Sequence, residues 1–290
     1  MDRRDGQGKD NGLPCHDKRA EALPGENPVK PSSDIDSGGV PVQPRRIMER
    51  SESGAPIHRY KDGPKDFGLA TGDSENIERI SDHIERHIGP IARVFHELVS
   101  ELVHIDVHIV APTPERNFYT LVTSGMSDKP MRPPEEYPDL RYSELMICLP
   151  PDWPMDDGQW EKDENYWPIR MLKMLARFPH EYGAWLWAMH TMPHGDPPQP
   201  FASNTRLCGM ILLPPVTAPP EFQELRVSDD KTIYFHALVP LHADEMDLKL
   251  KKGAGALFDG FNDHGVSEIL NPARPSSLPA ADKSWWKFGR

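Results

Sequence analysis

His104, Asp106 and His108 alternate with Ile105, Val107 and Ile109 in the stretch VHIDVHIVAP. Side chains at i, i+2 and i+4 share one face of a strand, so two imidazoles and a carboxylate there have the chemistry of a zinc or iron site. A second group, His190, His194 and Asp196 in MHTMPHGDP, could complete the ligand set and make the chain a metal-dependent hydrolase. The competing reading is simpler: any antiparallel strand with one wet face alternates polar with apolar residues. The stretch also lacks the HExxH grammar of known zinc sites. A solvated strand face, with no metal and no cofactor, is the expectation.

Other catalytic chemistries find less support. Cys148 and Cys208 sit inside apolar runs, LMICLP and RLCGMIL, where a thiol packs and its thiolate is disfavoured. No GxSxG elbow occurs, and no glycine-rich phosphate loop comes after a strand. Gly253-Ala254-Gly255 reads as a break between helical pieces. The chain is therefore expected not to be an enzyme. The tryptophans suggest a different activity. There are seven, and Trp153, Trp160 and Trp167 fall in one acidic, proline-rich stretch, 150–168. Tryptophan joins a large apolar area to one hydrogen-bond donor, which suits protein interfaces and core roofs alike. Those three are the candidate partner-binding residues.

Charge narrows the partner. The chain has 33 basic and 45 acidic residues, a net of -12, which argues against nucleic acid, whose phosphates need basic clusters. Residues 1–74 nearly balance, with 12 basic and 13 acidic side chains, so the acidity belongs to residues 75–290. A basic protein partner would meet it with a faster encounter. Three widely spaced cysteines form neither a disulfide framework nor a zinc finger, which points to a reducing, cytoplasmic compartment. The first residues have no apolar signal region, and no run of about 18 apolar residues suggests a membrane span.

The elements that must position these residues begin at 75. Residues 1–74 are rich in Gly, Pro, Asp and Ser, with Tyr60 and Phe67 as their only Phe, Trp or Tyr, and are expected to form a disordered tail. In DSENIERISDHIERHIG, Asp73 or Ser74 can cap a helix carrying Ile77, Ile80, Ile84 and Ile88 on one face. IARVFHEL suits helix or strand, and periodicity slightly favours helix. VHIDVHIVAP, NFYTLVTSG and ELMICLPP read as strands. IRMLKMLARF predicts a helix broken at Pro179. LCGMILLPP predicts a strand, EFQELRVSDDKTIYFHALVPL a hairpin turning near Asp229-Asp230, and ADEMDLKLKKGAGALFDGFNDHG two short helices split at Gly253. No linker divides 75–275, and residues 276–290 form a second tail.

The run from about 75 to 275 resembles the suppressor-of-fused (SUFU) domain family, in its bacterial-type members. The residues that carry the likeness are HIGPIARVFHELVSELVHIDVHIVAPTPERNFYTLVTSGMSDKPM, YSELMICLPPDWP, WPIRMLKMLARFPHEYGAWLWAMHTMPHG and FHALVPLHADEMDLKLKKGAGALFDGFNDHGVSEILNPARPS, in that order. The resemblance implies one α/β domain of the α+β type, with a mixed, largely antiparallel sheet flanked by helices. It also implies that 91–98 is a strand, against the periodicity. Family members bind proteins. The animal members sequester a transcription factor, and many bacterial members look like immunity proteins that neutralise a toxin of the same strain. A non-catalytic protein-binding module is what the resemblance implies here, with a metal-dependent hydrolase and a transcription-factor sequestering regulator as alternatives.

Overall fold

The computed structural model describes residues 49–60, 70–97 and 102–278. Within the stretch read as a tail, residues 49–60 carry a small ribbon, β1 (Glu49–Arg50) against β2 (Pro56–Ile57). Residues 70–73 lead into the first helix, and the rest of 1–74 lies outside the described residues, as does 279–290.

α1 (Ser74–His87) starts where the Asp73 carboxylate accepts the Glu75 and Asn76 N–H groups at 3.1 and 3.2 Å. That satisfies two of the donors a helix start leaves open. Its Ile80 and Ile84 have no exposed surface. The next segment is a strand, β3 (Ile91–Phe95), as the resemblance implied. Five residues fit both periods; antiparallel pairing with β4 (Asp106–Val110) decides between them.

β5 (Tyr119–Ser124) and β6 (Ser143–Leu149) come after β4 in space as in sequence. α2 (Asp163–Tyr182) is next, then β7 (Thr191–Pro193), β8 (Gly209–Leu213), β9 (Glu224–Arg226) and β10 (Thr232–Leu241). α3 (Ala243–Lys252) and α4 (Ala254–His264) are split at Gly253, as predicted. The main sheet has the order β3-β4-β5-β6-β10-β8-β7, with β9 also on β10. Every pair is antiparallel except β6 with β10.

Helices cover both faces. On one, Leu172 and Leu175 of α2 cluster with Ile109, Leu121, Leu145 and Ile147. On the other, Ile80 and Ile84 of α1 cluster with Val122, Met146 and Phe235. Strand alternation puts Val239 and Leu241 on that same face, where α3 and α4 add Met246, Leu257 and Phe261. This is the mixed, mainly antiparallel α+β fold expected.

α2 departs from the sequence reading at both ends. It begins six residues before Ile169 and continues through Pro168 and Pro179 to Gly183, whose left-handed conformation ends it. Pro168 has no N–H for the Glu164 carbonyl, and Asn204 Nδ2 supplies the missing donor at 3.1 Å. A residue far along the chain thus replaces the helix bond that the proline removes.

Candidate functional site

β4 lies second from the sheet edge and is buried on both faces. The solvated face expected for His104, Asp106 and His108 is therefore a correction: the α1 side of the sheet covers it, and Asp106 and His108 are buried there. Their polarity is satisfied internally. Asp106 Oδ1 lies 3.0 Å from His104 Nε2 and accepts the Glu97 N–H at 3.1 Å, and Oδ2 lies 3.0 Å from His96 Nδ1. His96 is two-thirds exposed, so the network reaches the surface there. Glu97 is tied in turn to Arg177 of α2, with Lys173 at 3.5 Å. His108 Nε2 shares a hydrogen bond of 2.9 Å with Ser124 Oγ. Burial drives its pKa down to about 4, against the attraction of Asp106, so the ring is neutral at pH 7.

The second histidine group does not join the first. His190 sits edge-on to Trp185, with its Nδ1 accepting the Trp187 N–H at 3.3 Å. His194 Nδ1 bonds the Gln199 carbonyl, and Asp196 pairs with Arg59 at 3.0 Å. Among the described residues, no three His, Cys, Asp or Glu side chains converge to hold a metal ion. Cys148 is buried, and desolvation pushes its thiol up to about 11; Cys208 is raised by the same cause. Neither is poised as a nucleophile. Cys15 lies outside the described residues.

The three tryptophans close the α2 side of the core. Trp167 belongs to α2, is fully buried and stacks on Phe201 at 4.9 Å. It offers no area to a partner. Trp153, 7% exposed, stands edge-on to Trp167 and donates Nε1 to the Asn165 carbonyl at 3.1 Å. Trp160 is half-buried against Phe95 and lies under the Arg93 guanidinium, 4.2 Å from its ring centre. Of the three candidates, it has the most accessible ring.

A feature that sequence reasoning missed is a cleft of about 820 Å³. β6 and β10 pair in parallel only as far as Met146 and Ala237. Beyond that point Cys148 of β6 bridges Ile269, and the Leu270 N–H donates to the Cys148 carbonyl at 2.8 Å. The cleft opens beside this bridge, lined among others by Trp153, Leu207, Val239, His264, Asn271 and Arg274. Glu245, buried at the start of α3, holds the wall in place. Nη1 and Nη2 of Arg274 donate to it at 2.7 and 2.6 Å, and the Ser277 N–H at 2.8 Å. Burial works to raise the Glu245 pKa, but these partners with the His242 N–H bring it below the usual value. The only sequence signal for this wall was the proline spacing of ILNPARPS, which reads equally as a tail.

The fold is thus a mixed sheet with helices on both faces and a cleft beside its parallel strands. The comparisons place it. The family model for Suppressor of fused protein (SUFU) matches residues 101–275, and the chain belongs to that family. The structure is similar to a SUFU homologue from Neisseria gonorrhoeae, with a TM-score of 0.52 and 17% identity, over 72% of this chain and all of that one. It is also similar to a chain in the Sufu–Fu complex crystal structure, with a TM-score of 0.49 and 14% identity, over 72% of this chain and 93% of that one. Drosophila Suppressor of Fused matches with a TM-score of 0.48 and 16% identity, over 71% of this chain; the chain spans 54% of that protein. A search of curated proteins found no match.

Proposed function

We propose that the chain is a non-catalytic protein-binding module, and that it serves in the cytoplasm as an immunity protein that neutralises a cognate toxin by binding it. The observation that carries the reading is the fate of His104, Asp106 and His108: Asp106 and His108 are buried, and partly exposed His104 is tied to Asp106, so the group best suited to catalysis is bonded into the frame. Membership of the SUFU family supports a binding role. The net charge of -12 favours a basic polypeptide as the partner, and the cleft beside Trp153 is large enough to accept side chains from one.

Co-expression tests this directly. The chain is produced together with the product of a neighbouring, growth-inhibiting reading frame. Restored growth and co-purification at a fixed stoichiometry are expected, and His104→Ala/His108→Ala, if folded, should retain both. Failure of rescue by the folded wild type counts against the immunity role. Substrate turnover that vanishes in that double variant would overturn the non-catalytic reading.

A further inference from the structure

Residues 49–60 stand outside the stretch matched by the family model, yet they lie across two helices of the domain and the loop after β7. The ribbon turns through Ser51–Ala55, where Gly54 adopts φ 87° and the Ser51 N–H donates to the Ala55 carbonyl at 2.9 Å. From that turn the Ser53 N–H reaches the Leu250 carbonyl at 3.0 Å, and Ser53 Oγ the Lys249 carbonyl at 3.4 Å. Leu250 is in the last turn of α3, where helix carbonyls lack internal partners, whereas the Lys249 carbonyl already accepts the Gly253 N–H at 2.8 Å. Further along, Arg59 bridges Glu49 of the ribbon at 2.8 Å and Asp196 of the domain at 3.0 Å. Tyr60 then packs on the C-terminal end of α2, edge-on to Phe178 at 4.9 Å and tilted over Tyr182 at 5.5 Å.

The surface beneath is thus a helix C-terminus whose last turn carries Lys249, Lys251 and Lys252 beside its open carbonyls, an exposed carboxylate and a pair of aromatic rings. This chemistry selects an extended segment with backbone donors, an arginine and then an aromatic residue. The grip on the strap is weak. Arg59, Glu49 and Asp196 are 63%, 49% and 82% exposed in their side chains, so water and salt screen both ion pairs. Such a segment can leave without disturbing the sheet.

We propose that residues 49–60 are a displaceable strap filling a docking site whose partner is an extended polypeptide segment of the same arginine-then-aromatic chemistry. The inference rests on the protein-binding reading and supplies its regulation. The strap lowers the affinity for the partner by the fraction of time it is seated, and a partner that outcompetes it frees the site.

A labelled peptide of the sequence ERSESGAPIHRY tests this without any natural partner. The full chain carrying Arg59→Ala/Tyr60→Ala is compared with the wild type by fluorescence anisotropy, with thermal melting to confirm that both are folded. The opened variant should bind the peptide about tenfold more tightly than the wild type. Adding Asp196→Lys to it should weaken binding several-fold, and a peptide lacking the arginine and tyrosine side chains should not bind. Equal affinity for both proteins, or no binding to the opened variant, overturns the proposal. So does a wild type that dimerises with concentration while the opened variant stays monomeric, since the strap would then come from a second copy. These outcomes concern the strap alone, and loss of toxin neutralisation would not mimic them.

Discussion

His236 on β10 is buried, neither ring nitrogen has a hydrogen-bond partner among the described residues, and the ring stands edge-on to Trp187 at 4.7 Å. Burial, aided by repulsion from His190, lowers its pKa to about 3; burial also lowers that of His190 to about 4. Linkage gives the sign. In the unfolded chain a histidine takes up a proton below about pH 6.5, while the folded protein keeps these rings neutral until well below that. Stability is therefore present in full above pH 6.5 and is lost as the pH falls towards 3. Each such ring contributes about 1.4 kcal/mol per pH unit within that window. His236→Phe removes one titration. Its stability relative to the wild type, read from urea unfolding at pH 7 and pH 5, should improve by about 2 kcal/mol on going to the lower pH. A difference independent of pH would show that the ring is already protonated or solvated.

At the scale of elements, the turn after β5 controls the approach of His104. Gly125 has φ 105°, and a Cβ built there would stand 1.8 Å from the His104 carbonyl oxygen. Buried Glu144 of β6 fixes the turn by accepting the Gly125 N–H at 3.0 Å, the Ser127 N–H at 2.9 Å and the Ser127 and Thr123 hydroxyls at 2.6 Å each. Desolvation raises its pKa to about 7, against the pull of the Ser127 and Thr123 hydrogen bonds. Gly125→Ala combines a left-handed backbone with a backbone clash that no rotamer relieves. It should cost about 3 kcal/mol or more in chemical denaturation. A loss below about 1 kcal/mol would mean that the turn moves freely.

For the whole molecule, the proposed function makes charge the term that governs encounter. With 33 basic and 45 acidic residues, the chain would attract the basic partner proposed above over a distance that salt shortens. Once the complex is in hand, raising the salt from about 0.05 to about 0.5 M should slow association by about tenfold or more. Dissociation should change much less. Stopped-flow mixing separates the two rates, and association indifferent to salt would remove charge from the account of recognition.

Local pattern alone determined a good part of this protein. Asp73 and the isoleucine spacing specify α1, and short β-branched runs specify β4 to β6. The turn residues specify the β9–β10 hairpin and the split between α3 and α4. These are legible because a cap or a period concerns neighbours a few residues apart. Only the tertiary structure decided the rest. β3 is a strand because β4 lies beside it, and α2 runs through Pro168 because Asn204 meets the carbonyl that the proline leaves open. Asp106 and His108 form a buried frame, with His104 at its edge, because α1 packs on their side of the sheet, and the cleft lies where Ile269 bridges Cys148 from over a hundred residues away. Alternation tells which side chains share a face; what covers that face is set by contacts distant in the chain.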